Sequence, residues 1–372
     1  LERLALSRID FLFKGGTALM LLLERPQRVS VDIDIICTIP KEKFETSMRE
    51  WVRHPPFTKW EQDTRESDKE PPTRRHYKLF YEARFGGLRS PYILLDVVEE
   101  ECGIATEYTQ TKDIDCSFLA LEGTPSKVRV PQIDTILADK LTAFAPNTTG
   151  VHFNNPRLLE DSSHQVFKQL FDIAQLFDVM EDFAIVRNTY FLVVQKEAQY
   201  KAVKDVPVLR DTLQTAFDIC TFDVRRKKFA PEYEKCISGG IAKMSSDLIS
   251  GKTFSPADAK LAASKAAYLA TLLLTDQPQI ASFSMDKDVI AQLKAHQFPK
   301  QWGILVSERE CRSLLVLVQN HGTSARAEKG IEISRSRLTI HDVDGNIFRH
   351  RFSFFRMVWL NGKNASKANI GK

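Results

Sequence analysis

The stretch FKGGTALMLLLERPQRVSVDIDII, residues 13–36, decides how the chain reads. Lys14-Gly15-Gly16-Thr17 is a glycine turn that runs straight into TALMLLLE, a run of good helix formers with Thr17 near its start. Arg28-Val29-Ser30-Val31-Asp32-Ile33-Asp34-Ile35-Ile36 then alternates polar and apolar, the period of a β-strand. In such a strand, expected over 28–37, Arg28, Ser30, Asp32 and Asp34 line one face, and Val29, Val31, Ile33 and Ile35 bury the other. Two carboxylates two positions apart repel each other, and a cation holds both ionised. Mg2+ takes carboxylate oxygens, keeps several waters and shares its shell with substrate phosphates. A glycine pair opening a helix offers backbone N–H groups and the positive dipole end, with no Cβ in the way. A phosphate cradle and a carboxylate metal site joined by one helix are the parts that phosphoryl or nucleotidyl transfer needs.

The order and spacing of these parts, Lys14-Gly15-Gly16-Thr17-Ala18-Leu19, a helix, then Arg28-x-Ser30-x-Asp32-x-Asp34, closely resemble the AbiEii/AbiGii-type nucleotidyltransferase toxins. That family is a branch of the DNA polymerase β-like nucleotidyltransferase superfamily. The resemblance covers roughly residues 1–270. It implies an α/β (α+β) fold, with a nucleotidyltransferase core of a small mixed sheet flanked by helices, followed by a helical domain.

The rest of the chain is consistent with such a protein. At 372 residues it holds two or three domains. The 43% hydrophobic and 27% charged composition is that of an ordinary soluble protein, and the net charge of +4 permits a polyanionic partner without requiring one. No apolar run approaches the ~20 residues of a membrane span, and residues 1–10, LERLALSRID, form an amphipathic pattern, part of a helix expected over 1–12, rather than a signal peptide. The six cysteines are scattered with no CxxC and the eight histidines are dispersed, so no zinc site or disulfide framework is read and a cytoplasmic location is expected.

A helix is expected over 41–53, with Phe44, Met48 and Trp51-Val52 at helical spacing, then a charged, proline-bounded loop over 61–73. Residues 76–85 and 91–100 read as a hairpin around the Gly86-Gly87-Leu88-Arg89-Ser90 turn. Asp96 lies inside the apolar run of the second strand, where a carboxylate is expensive unless it is paired or bound to a metal. An edge-strand aspartate facing water is the alternative. The resemblance makes Asp96 the third metal carboxylate.

A short strand over 128–131 leads into a helix, Gln132 to Phe144, with Lys140 close to its buried face. Lysines at such positions usually snorkel. The run resembles the family's third motif, which implies that Lys140 reaches the nucleotide phosphates. The family's following arginine is replaced here by Pro146-Asn147-Thr148-Thr149. Residues 164–180 are an amphipathic helix in which Lys168-Gln169-Leu170-Phe171-Asp172-Ile173 resembles the fourth motif, with Asp172 kept and Lys168 in place of an arginine. Lys168 and Asp172 are also an ordinary i,i+4 pair. An Asp172–Lys140 contact would position the lysine.

Residues 182–278 are helical in pattern, and 285–372 read as strands. The expected domains are 1–150, catalytic; 151–280, helical; and 281–372, a β-rich basic module. In 285–372, fifteen Lys and Arg against eight Asp and Glu give 15 − 8 = +7. Arg335, Arg337, Arg349, Arg351 and Arg356 are interleaved with Phe348, Phe352, Phe354 and Trp359. Such a face grips RNA or is simply solvated.

The resemblance implies the reaction: attack of an acceptor hydroxyl on the α-phosphorus of an NTP, with release of pyrophosphate. Asp32, Asp34 and Asp96 would hold Mg2+, two ions in all. Lys14, Gly15, Gly16, Thr17, Arg28, Ser30, Lys140, Lys168 and Asp172 would serve the nucleotide. Family members act as toxins of toxin–antitoxin pairs and in phage defence, which implies a cognate antitoxin as partner, and some relatives add nucleotides to tRNA 3′ ends, which implies RNA, most of all the tRNA 3′ end, as acceptor. A small-molecule nucleotidyltransferase and a nucleotide-binding regulatory protein with little catalysis stand as alternatives.

Overall fold

Ile33–Cys37 (IDIIC) is the strand β2 around which the first part of the structure is laid out. The computed structural model describes residues 1–65, 72–83, 91–100, 106–155, 160–200, 208–222 and 229–274, and three short strands between 332 and 350. Before β2 come a short helix α1 (Glu2–Leu6), a three-residue strand β1 (Leu12–Lys14) and the helix α2 (Gly15–Leu22). After it come α3 (Lys41–Trp51), β3 (Phe57–Gln62), β4 (Arg74–Tyr81) and β5 (Tyr92–Glu99). Five strands form one mixed sheet in the order β1-β2-β5-β4-β3, with β2 and β5 parallel and every other neighbour antiparallel.

One face of this sheet is apolar. Phe13, Ile33, Ile35, Tyr77, Leu79, Leu95 and Val97 are buried, each one residue out of step with its polar neighbours. Helix α3 covers that face because Phe44, Met48 and Trp51 recur at helical spacing and are buried. The Phe44 ring stacks on Tyr77 at 5.8 Å. Burial pushes the Tyr77 hydroxyl up to about 12. A second ladder, β6 (Thr109–Asp113) with β7 (Lys127–Pro131), is tied to the turn before β1 by Arg129 on Asp10 at 2.9 Å.

The chain partitions into two compact units that interleave in sequence. One comprises 1–136, 191–204 and 247–252, the other 137–190, 205–246 and 253–372. One crossing between the units falls inside α4 (Ile133–Ala143), so Lys140 belongs to the second unit.

That unit contains the two-residue strands β8 (Asn154–Asn155) and β9 (Glu160–Asp161) and the helices α5 (Ser163–Phe177), α7 (Val208–Cys220), α8 (Pro231–Met244) and α9 (Pro256–Leu274). Helix α6 (Phe183–Tyr200) runs from it into the first unit. Helix α9 is lined with buried alanines, Ala259, Ala262, Ala263, Ala266, Ala267 and Ala270, and packs on both α5 and α7. Its start is a reciprocal cap: the Asp258 N–H donates to Ser255 Oγ, and the Ser255 N–H donates to the Asp258 carboxylate at 2.8 Å. Gly240 of α8 lets the Phe167 ring approach so closely that a Cβ there would lie 2.3 Å from it.

The structure departs from the sequence reading in four places. The strand expected over 28–37 begins only at Ile33, and Val29 and Val31 are 44% and 66% exposed rather than buried, while Arg28 is buried. β1 pairs only from Leu12↔Ile36 to Lys14↔Asp34 and β5 only from Ile33↔Leu95 onward, so residues 29–32 meet no strand of the sheet. Helix α1 ends at Leu6, short of residue 12. Strands β3 and β6, the first overlapping the expected 61–73 loop, carry little apolar alternation and were not foreseen. Residues 66–71, the 86–90 turn, 275–331 and 351–372 lie outside the described residues, as do Arg335, Arg351, Arg356, Phe352, Phe354 and Trp359. From the C-terminal segment the structure describes a three-stranded antiparallel sheet, β10 (Glu332–Ser334), β11 (Arg337–His341) and β12 (Ile347–His350). Asp344-Gly345, a hairpin signal in the sequence between β11 and β12, lies outside the described residues.

Candidate active site

Lys14, Asp34, Asp96 and His76 occupy one register row across four adjacent strands: Lys14↔Asp34, Asp34↔Asp96 and Asp96↔His76. Register partners share a face, and by alternation this is the face opposite the one that α3 covers. Two sequence-predicted carboxylates, from residues far apart in the chain, are thereby brought side by side. Asp96 sits between buried Leu95 and Val97 and is itself half-buried. His76 Nδ1 lies 2.6 Å from Asp96 Oδ1, with both side chains largely withdrawn from solvent. His76 was not singled out in the sequence. A lone histidine 20 residues from its partner leaves no local signal, and only the hairpin register exposes it.

The glycine turn closes against this row. Gly15 has φ +77, and a Cβ on it would lie 1.9 Å from Asp34 Oδ2. A side chain is therefore excluded twice over, by backbone conformation and by the carboxylate. Gly16 faces the other half of the motif: a Cβ there would meet the Arg28 guanidinium at 2.5 Å and Ser30 Oγ at 2.9 Å. Thr17 Oγ1 donates to the Asp32 carbonyl at 2.5 Å, joining the third residue of α2 to the exposed segment ahead of β2. The Arg28 guanidinium, 8% exposed, donates to the Val29 carbonyl at 3.3 Å. Gly15, Gly16, Thr17, Arg28, Ser30, Asp34 and the Asp32 backbone thus lie close together.

Asp32 is the member placed differently from expectation. It precedes β2 and is exposed, not set on the strand beside Asp34. Among the described residues no three carboxylate, imidazole or thiol side chains converge as a metal ligand set. Asp34 and Asp96 nonetheless stand at adjacent register positions with Asp32 two residues upstream, and all three offer the oxygen donors Mg2+ takes. The carboxylates suit that ion in chemical kind, and of the three only Asp34 and Asp96 are register partners.

The remaining sequence-predicted residues belong to the second unit. Lys140 Nζ is 3.0 Å from Asp172 Oδ2, with side chains 9% and 2% exposed. The expected contact between third and fourth motifs is therefore present as a buried ion pair. Lys168 is half-buried one turn before Asp172 on α5. The Pro146-Asn147-Thr148-Thr149 segment, which stands where the resemblance led us to look for an arginine, is held by the buried Asp211 of α7. Its carboxylate accepts from the Asn147 N–H and Nδ2, both at 2.7 Å, and from Thr148 Oγ1 at 2.9 Å. Thr149 Oγ1 donates to the Thr142 carbonyl at 2.9 Å, so this loop also caps the end of the helix that carries Lys140.

The profile of a sequence family described as nucleotidyl transferase AbiEii toxin, Type IV toxin–antitoxin system, matches residues 1–246. The chain belongs to the AbiEii family. It is a nucleotidyltransferase of that toxin family, and the matched span holds every candidate residue described above. No curated protein matches the chain by sequence. Among solved structures, it is similar to MenT4, a nucleotidyltransferase toxin from Mycobacterium tuberculosis, at 14% identity and TM-score 0.43, over 86% of this chain and 88% of that one. It is also similar to JHP933 from Helicobacter pylori at 15% identity and TM-score 0.37, over 79% and 91%. Among the described residues of this AbiEii protein no helix is long and apolar enough to cross a membrane.

Proposed function

We propose that the protein transfers a nucleoside monophosphate from an NTP to a hydroxyl of cytoplasmic RNA, with tRNA as the favoured acceptor, and that this modification is its toxic act. The observation that carries the reading is the register row with the glycine turn against it: two acidic groups at adjacent positions, beside backbone that admits no side chain. In the proposed reaction the acceptor oxygen bonds to the α-phosphorus, the bond from that phosphorus to the α,β-bridging oxygen breaks, and pyrophosphate leaves. The hydroxyl proton passes to Asp96, whose Oδ1 is engaged by His76. Gly15, Gly16 and Thr17 at the start of α2, with Lys14, Arg28 and Ser30, receive the triphosphate, since helix N-termini and guanidinium groups both favour phosphate. Asp32, Asp34 and Asp96 would hold two Mg2+ ions, which supply charge neutralisation at the phosphates. Lys140, oriented by Asp172, and Lys168 are the phosphate-binding cations assigned to the second unit. A cognate antitoxin is the expected protein partner.

The test is direct: purified protein is incubated with each α-labelled NTP, total tRNA and Mg2+. Labelled tRNA that disappears in Asp34→Ala and with a chelator is the expected result. Label that never enters RNA would refute the acceptor assignment.

A further inference from the structure

Residues 247–252 follow helix α8, yet they belong to the first unit, where they lie along the segment that carries Arg28 and Ser30. The Val29 N–H donates to the Asp247 carbonyl at 2.9 Å, and the Ile249 N–H donates to the Gln27 carbonyl at 3.0 Å. Arg28 and Leu248 are antiparallel bridge partners, and Lys252 Nζ donates to Gln27 Oε1. These six residues form a strap of backbone hydrogen bonds over residues 27–29.

The strap matters because of what residues 28–32 lack. The sheet pairs β2 only from Ile33 onward, so the backbone that presents Arg28 and Ser30 gets no ladder from β1 or β5. Backbone groups without a ladder must find partners elsewhere or stay solvated. Arg28 is nevertheless buried, with its guanidinium packed against Gly16. Beside the Thr17 contact to the Asp32 carbonyl, backbone partners for this segment come from a part of the chain more than two hundred positions downstream. It begins at the residue after the family match ends, so it is a contribution of this chain beyond the matched span.

We propose that residues 247–252 are a positioning element for nucleotide binding. They fix the backbone of residues 27–29 so that the Arg28 guanidinium and Ser30 hydroxyl are held against the glycine turn before the triphosphate arrives. A preformed site loses less conformational entropy on binding. The inference rests on the reading that Arg28 and Ser30 receive the triphosphate.

One substitution removes a strap hydrogen bond with little strain. Ile249 opens a 3-10 turn, Ile249–Gly251, and Leu248 before it has φ −77 and ψ 145, the conformation a residue before proline adopts. Ile249→Pro therefore deletes the N–H that reaches Gln27, while Ile249→Ala keeps it. Binding of inorganic tripolyphosphate and of ATP, GTP, CTP and UTP, each with Mg2+, is measured by calorimetry on the full chain, alongside melting temperature. The expected result is a dissociation constant about three- to tenfold weaker in Ile249→Pro than in Ile249→Ala, with closely similar melting temperatures. Lys252→Ala, a change of an exposed side chain, should weaken binding in the same direction and less, and it serves if the proline variant does not fold. Equal affinities across these variants and wild type overturn the proposal, as does a melting-temperature loss with affinity unchanged. Arg28→Ala separates the two failures. If it weakens binding and the strap variants do not, the strap idea falls alone; if it also leaves affinity unchanged, the triphosphate reading falls first.

Discussion

His76 and Asp96 face each other across the β4–β5 hairpin, and the 2.6 Å contact between Nδ1 and Oδ1 fixes one carboxylate oxygen of the candidate site. His76→Ala removes that hold without touching the row's two aspartates. Side chains that orient a metal-ligating or catalytic group typically contribute about 10–100-fold. The expected outcome is a fall of that order in turnover with NTP affinity nearly intact, read as kcat against KM in the labelling assay. Unchanged kcat would reduce the pair to a packing contact.

The two glycines should behave differently. Gly15→Ala places a Cβ 1.9 Å from Asp34 Oδ2 on a backbone at φ +77, so it should cost at least about 1–3 kcal/mol of stability. Gly16→Ala meets the tip of the Arg28 side chain, which can swing away, so the protein should fold and lose nucleotide affinity instead. Thermal melts paired with calorimetry separate the two, and equal melting temperatures for both variants would contradict the geometry.

Much of this constellation was legible in the sequence, for a physical reason. A glycine at positive φ, a helix start and carboxylates at strand spacing are constraints written within about twenty residues. Asp96 was legible too, because a carboxylate between buried neighbours is costly enough to need a purpose. The extent of β2 was not. Val29 and Val31 continue the alternation of Ile33 and Ile35, but the pairing of β1 and of β5 with β2 stops short of them. His76 and the 247–252 strap are set by pairing between distant segments, for which a single sequence carries no spacing rule.

The Lys140–Asp172 pair gives a third prediction. Asp172→Asn leaves a buried ammonium without its counter-charge, which should destabilise the protein by about 3–5 kcal/mol. Lys140→Met with Asp172→Leu should recover most of that stability and still fail to transfer nucleotide. A double variant that regains activity along with stability would show that the pair serves only the fold.

A fourth concerns Cys37 on β2. Burial pushes its thiol up from the usual range, and its side chain is almost inaccessible. A raised pKa keeps the thiol protonated, and the thiolate is the reactive form. At pH 8 iodoacetamide should label half-exposed Cys116 well before Cys37 in the native protein, with both labelled in denaturant, as peptide mass mapping would read. Early native labelling of Cys37 would contradict the placement of β2 in the core.

The strap has a consequence for the order of events during synthesis. Asp34 meets Asp96, 96 − 34 = 62 residues later, and residues 27–29 take backbone hydrogen bonds from residues 247–249. Pairings between such distant segments form late, because the intervening loop must close first. On the ribosome these hydrogen bonds can form only once residues 247–249 have been made, more than two hundred residues after the glycine turn. Products truncated before residue 247 lack these hydrogen bonds altogether.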